Sequence, residues 1–290
     1  MSPIFDATDT DSVFIKLNKL LINQGVDIQK WNTIDQDIKI KLLLKLSKNI
    51  EDIVNDRCYY DVQLNDYNSI VQEDDFSIKL KQEIICSNAL FIAPKMYCYH
   101  IINDEGYDCD KIDAKGVEIV RSSAPTIFRN ALKNILERLL KGDDDSVLSG
   151  IVEEYKDKFY DTIPEDISVN IGVNNLDKYI NEDNHYLKGT PYHIKATSHY
   201  HCLLDEFDIN QKYERIKEGD KIRLVYIKKN KWGFDTVGYY KWPVEFDDND
   251  IQVDYDKMIE KYFINKAKII LDPINKTKIL DDDSIVNLFF

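Results

Sequence analysis

Between Ile38 and Val54 the apolar residues Ile38, Leu42, Leu43, Leu46, Ile50, Ile53 and Val54 mostly return every three or four positions, the period of one helix face. Lys81 to Ile102, by contrast, is dense in isoleucine, tyrosine and phenylalanine, with a break at Pro94; this is the pattern of two strands joined by a turn. A long helix followed by paired strands does not fit a regular βαβ alternation. It constrains the chain to an α+β fold, with antiparallel strands and packed helices.

The remaining segments extend this pattern. Ile4 to Ile15 has apolar residues on both sides of a polar centre, Asp9-Thr10-Asp11-Ser12, and reads as a β-hairpin. After Ser122-Ser123-Ala124-Pro125, where serine can cap a helix and proline suits its first turn, Phe128, Leu132, Ile135 and Leu139 give an apolar stripe that Gly142 ends. Ile151 to Tyr160 reads as a further helix, Lys221 to Ile227 and Thr236 to Tyr240 as strands, and Tyr255 to Ile264 as a helix.

Composition excludes several classes. With 43% apolar residues and few glycines and prolines, the 290 residues can build a buried core and are not a disordered chain. The longest apolar runs, such as Ile84 to Ile92, fall short of the roughly 20 residues that span a bilayer. No secretory signal opens the sequence, so a soluble protein without membrane attachment is expected. The five cysteines are scattered, with no C-x-x-C pair, which predicts reduced thiols in a cytoplasmic compartment.

A net charge of −14 opposes binding to nucleic acid, yet the charge is segregated. Lys111 to Lys141 holds seven Lys/Arg against three Asp/Glu, and Gln211 to Lys241 nine against four. Between them, Asp143 to Asp166 has nine acids and two lysines. A basic cleft on an acidic body is compatible with this distribution, as is an ordinary solvated surface. His193, His199 and His201 lack an accompanying carboxylate or cysteine cluster, although His199 and His201 have strand spacing. No nucleophile–histidine–acid arrangement and no glycine-rich phosphate loop is legible.

Asp9 and Asp11 are the candidate metal ligands, because carboxylates at i and i+2 fall on one side of a strand and hard divalent cations prefer oxygen. Asp9-Thr10-Asp11-Ser12-Val13-Phe14 resembles the third conserved motif of family B DNA polymerases. Further segments similar to that family follow in order: Lys81-Gln82-Glu83-Ile84, Pro94-Lys95-Met96-Tyr97, and Lys115-Gly116-Val117-Glu118-Ile119-Val120-Arg121-Ser122-Ser123-Ala124-Pro125. Asn174 to Tyr179, Pro191 to Lys195, Glu218 to Lys221 and Lys241-Trp242-Pro243 resemble the C-terminal region of polymerases from T-even-type tailed phages. The resemblance departs where Ala7 and Thr8 replace the family's tyrosine and glycine, and where Pro94 and Met96 replace basic residues. The interval between Glu83 and Lys95 is also shorter.

The resemblance implies a palm portion over residues 1–115, a thumb over 116–280 and a clamp-binding tail over 281–290. Asp11, with Asp9 as a weaker ligand or turn former, would share two Mg2+ ions with residues on another polypeptide, and Glu83 would act nearby. Lys95 and Tyr97 would position the primer end. Lys115, Arg121, Ser122 and Ser123 would hold duplex phosphates, and Ile285, Leu288, Phe289 and Phe290 a sliding clamp. The implied function is that of the C-terminal subunit of a split DNA-directed DNA polymerase, inactive alone. Its partners would be an N-terminal fragment bearing exonuclease and fingers, primer–template DNA, deoxynucleoside triphosphate and the clamp. The alternative is a non-catalytic module that binds DNA and clamp.

Overall fold

The computed structural model describes residues 5–8, 12–64, 79–117, 124–180 and 186–280. The fold is α+β, with antiparallel sheets and packed helices, and the chain divides into two compact units, Met1–Lys115 and Gly116–Phe290.

In the first unit, strands β1 (Phe5–Thr8) and β2 (Val13–Ile15) pair antiparallel. Two short helices, α1 (Asn18–Asn23) and α2 (Ile28–Thr33), lead to the long helix α3 (Gln36–Leu64). A three-stranded meander follows: β3 (Ile84–Ala93), β4 (Met96–Asp104) and β5 (Tyr107–Lys115). The third strand was not foreseen from the sequence. Its turn, Glu105-Gly106, has φ of 48° and 92°, the doubly left-handed geometry that matches strand twist in a tight hairpin. The Asn103 side chain, fully buried, secures this turn by accepting from Gly106 N at 3.0 Å and donating to Asp108 at 2.8 Å.

Both faces of the meander carry apolar side chains. On one, Ile85 and Ile102 meet Ile40, Leu43 and Leu44 of α3. On the other, Tyr97, Tyr99 and Ile101 gather Phe14, Ile84, Cys86, Phe91 and Cys109. The helix face differs from the one its periodicity predicted. Ile40 is the residue turned inward, while Ile38, Leu42 and Ile53 are 51%, 47% and 68% exposed. The apolar residues of α3 wrap more than one face, and the sheet covers the face centred on Ile40.

In the second unit, α4 (Thr126–Lys141) and α5 (Asp145–Tyr160) form an antiparallel pair. Gly142, with φ of 93°, ends α4 as expected, and Asp144 caps α5 by accepting from Val147 N at 3.0 Å. The start of α4 differs from the expected serine cap: Pro125 occupies the capping position, with no side-chain hydrogen bond there. After α6 (Pro164–Ile167), the sheet is completed by β6 (Val169–Gly172), β7 (Lys221–Tyr226) and β8 (Thr236–Tyr239), with α7 (Leu176–Tyr179) and α8 (Tyr192–Glu206) between β6 and β7.

Helix α8 packs on β8 at Gly238, where an added Cβ would lie 2.6 Å from Ile222 Cδ1. After α9 (Val244–Asp248), the C-terminal helix runs from α10 (Tyr255–Ile259) through a π-helical turn (Glu260–Ile264) into α11 (Asn265–Leu271), beyond its predicted end. Phe128, Phe159 and Phe263 stack edge and face within its core.

Cys86, Cys98, Cys109 and Cys202 are free, and burial pushes the Cys98 thiol up to about 12. No helix among the described residues is long and apolar enough to cross a membrane.

Candidate functional site

The first unit gathers several of the residues singled out by sequence. The hairpin pairs Ala7 with Phe14 and Thr8 with Val13; Asp9 and Asp11 lie outside the described residues. Phe14 is where the hairpin meets the sheet. Its ring centroid lies 5.2 Å from Phe91, 5.4 Å from Tyr97 and 5.7 Å from Tyr99, in edge-on or tilted contacts that aromatic quadrupoles favour.

Tyr97 is 4% exposed within this cluster. Its register partners are Phe91 on one side and Lys115 on the other, and Lys115 Nζ stands 5.8 Å above its ring. The ring thus supports Phe14 and Lys115. Lys95 occupies the two-residue turn between Ala93 and Met96, is exposed, and has φ of 62°. The preceding proline fixes the first turn position, and the left-handed second position is one that glycine usually fills.

Glu83 stands elsewhere. It is exposed just before β3, at the opposite end of that strand from Lys95, and strand rise puts the two roughly 30 Å apart. Its neighbours fix this segment: Asn55 grips both backbone groups of Leu80 at 2.7 and 2.9 Å, Glu51 accepts from Gln82 N at 3.1 Å, and the Glu83 carbonyl accepts from Glu105 N at 2.7 Å. Glu83 and Lys95 therefore cannot serve one phosphate. Arg121, Ser122, Ser123 and the tail residues Ile285, Leu288, Phe289 and Phe290 lie outside the described residues.

In the second unit the basic stretch near its C-terminal half is partly neutralised from within. Lys212 pairs with Glu245 at 2.6 Å and Arg215 with Asp205 at 2.6 Å. The loop between β7 and β8 differs, because Lys228, Lys229 and Lys231 are all exposed on it. Asn230 holds the loop in shape by donating to the carbonyls of Lys228 and Phe234 and accepting from Phe234 N. The sequence showed the charge there but not this fixed presentation.

His193, His199 and His201 all lie on α8, so the two-residue spacing of His199 and His201 is not that of a strand. His199 bonds the Thr236 carbonyl at 2.7 Å and stacks on Phe234, while His201 Nε2 accepts from Ile216 N at 3.0 Å. Burial lowers the pKa of both, that of His201 to about 4, so each is a neutral packing residue. One correction concerns the nucleophile–histidine–acid arrangement that the sequence did not reveal: Ser87, His100 and Asp110 form a hydrogen-bonded row.

Among the described residues no three His, Cys, Asp or Glu side chains converge as a cation site. The donor chemistry of the hairpin, two carboxylates two positions apart, fits a hard divalent cation.

The family model of DNA polymerase family B matches residues 64–274. The chain belongs to this family, whose members are DNA-binding nucleotidyltransferases of DNA replication. The matched region includes Glu83, Lys95, Tyr97, Lys115 and Arg121 to Ser123; it leaves out the hairpin and the last segment, 275–290. No curated protein matches the chain.

Proposed function

We propose that this chain contributes the carboxylate hairpin of a polymerase palm and a thumb that holds primer–template DNA, and that it extends DNA only together with another polypeptide. The family match across the region containing Lys95 and Lys115 is the observation that carries this reading. Phe14 supports it, because it seats the hairpin on the same sheet that bears both lysines.

Asp11 and Asp9 would hold divalent cations, shared with an aspartate of the other polypeptide. Those ions supply activation of the primer 3′-hydroxyl and neutralisation of charge on the transferring phosphate. The chain's own side chains do the positioning. Lys95, pushed out on its turn, meets a phosphate near the primer terminus. Lys115, standing over Tyr97, meets the next stretch of backbone. Arg121, Ser122 and Ser123 follow along the duplex, and Lys228, Lys229 and Lys231 form a second basic contact. Such contacts are indifferent to sequence and weaken steeply with salt. Ile285, Leu288, Phe289 and Phe290 would tether the assembly to a sliding clamp.

The test is primer extension in Mg2+ by the chain mixed with a polypeptide carrying exonuclease, fingers and the other metal-binding aspartate. Activity should need both components and should vanish in Asp11→Ala. Extension that survives Asp11→Ala removes Asp11 from the metal site. Tight, salt-sensitive primer–template and clamp binding with no extension would leave the non-catalytic module as the function.

A further inference from the structure

The meander β3-β4-β5 carries a row of three side chains that polymerisation does not use. Ser87 Oγ lies 2.7 Å from His100 Nδ1, and His100 Nε2 lies 2.7 Å from Asp110 Oδ1. Each of the three strands contributes one member, with the histidine on the central strand.

The row is made by the sheet's irregularities. Cys86 pairs with Ile101 and Asn88 with His100, so Ser87 is an extra residue in β3 beside His100. On the other side Ile101 pairs with Lys111 and Asn103 with Asp108, so Cys109 and Asp110 together face the single residue Ile102. Bulges of this kind re-aim side chains. Here both flanking strands bulge at the residue that reaches His100.

In the neutral imidazole the two partners select one tautomer. An ionised Asp110 can only accept, so His100 carries its proton on Nε2 and leaves Nδ1 as the acceptor for the Ser87 hydroxyl. That is the state a general base needs, with an acid orienting the imidazole from behind. The side-chain exposures suit such a relay: His100 is 13% exposed and held on both sides, Asp110 is 66% exposed, and Ser87 faces solvent.

We infer that Ser87 is an activated nucleophile that accepts acyl groups from small, uncharged, activated esters. In the step, Ser87 Oγ bonds to the ester carbonyl carbon while its proton passes to His100 Nδ1, and the carbonyl π pair moves onto oxygen. On collapse that pair re-forms the carbonyl, the bond to the leaving alkoxide breaks, and the His100 proton goes to the alcohol. Water attacks the acyl-serine with the same base, releasing the acid and restoring Ser87. Asp110 stabilises the imidazolium that forms between these transfers. The ionised Asp110 at the end of the row makes anionic acyl donors unfavourable.

The experiment reacts the folded 290-residue chain with a fluorophosphonate and, separately, with p-nitrophenyl acetate, and locates the adduct by peptide mass spectrometry. Ser87 should be labelled on the order of 100-fold faster in the folded chain than in the chain unfolded by urea, the scale of general-base assistance. Asp110→Asn, at an exposed position that leaves the sheet intact, should slow labelling at least tenfold; His100→Gln should slow it further, and Ser87→Ala should remove the adduct. Circular dichroism checks the fold of each variant. Labelling at Ser87 no faster than at other exposed serines, or unchanged in Asp110→Asn, overturns the inference. Primer–template binding does not enter the test, so failure here is separate from failure of the polymerase reading.

Discussion

Replacing Phe14 by alanine should detach the carboxylate hairpin from the sheet that supports it. Three ring contacts are lost, to Phe91, Tyr97 and Tyr99, at centroid distances of 5.2 to 5.7 Å. Aromatic pairs contribute about 0.5–1.5 kcal/mol each beyond area burial, and truncation of a fully buried phenylalanine costs about 3–5 kcal/mol. Phe14 is only partly buried, so the expected loss is about 2–3 kcal/mol. Urea unfolding followed by tyrosine and tryptophan fluorescence measures it, and limited proteolysis between residues 5 and 15 reports whether the hairpin is released. Phe14→Leu, which keeps apolar volume but not the ring contacts, should lose about half as much. In the two-component assay, Phe14→Ala should depress primer extension while primer–template affinity stays within about twofold, because the substitution removes neither Lys95 nor Lys115, the proposed phosphate contacts. A stability loss below about 0.5 kcal/mol with unchanged proteolysis would refute the argument that Phe14 seats the hairpin.

Three further outcomes follow from other parts of the fold. Burial, with Arg215 adding to it, holds the His201 pKa at about 4 against an unfolded value near 6.5; the unfolded chain binds the extra proton, so stability should fall as pH drops from about 6.5 towards 4, by roughly 3 kcal/mol at most. His201→Gln, which can still accept from Ile216 N, should flatten that part of a plot of Tm against pH. Lys95→Gly relieves a left-handed backbone at the cost of chain entropy, so unfolding stability should change by less than about 1 kcal/mol while DNA affinity drops and its salt dependence becomes shallower; fluorescence anisotropy across a salt series checks both. Gly238→Val pushes side-chain carbons against Ile222 and the α8 backbone at Ala196 and should destabilise by about 1–3 kcal/mol in urea titration.

What could be read in the sequence was whatever repeats locally. The period of α3, the turn at Pro94 and the glycine that ends α4 each leave a signal within a few residues. Strand β5 leaves little, because an edge strand with one neighbour tolerates the polar run Tyr107-Asp108-Cys109-Asp110-Lys111. His199 and His201 have the two-residue spacing of a strand but lie on a helix that follows Pro191 and buries nearly every side chain it carries from Ile194 to Leu204, which left the period of neither element legible. The Ser87–His100–Asp110 row was invisible for a different reason: its spacing in sequence means nothing until two bulges set the register.

Motif resemblance has a related limit, which Tyr97 illustrates. A tyrosine in a segment similar to a primer-contact motif suggests a side chain laid against DNA, yet its ring is enclosed by Phe14, Phe91 and Tyr99 and lies under Lys115. The same residue can still matter to DNA binding, by a different physical route. It fixes the sheet surface from which Lys115 projects and gives the hairpin its seat, so ring packing carries this contribution. In the proposed reading the segment therefore couples two tasks that the linear motif lists side by side: the exposed Lys95 and Lys115 would meet phosphate, and Tyr97 faces inward to seat Phe14 against the sheet.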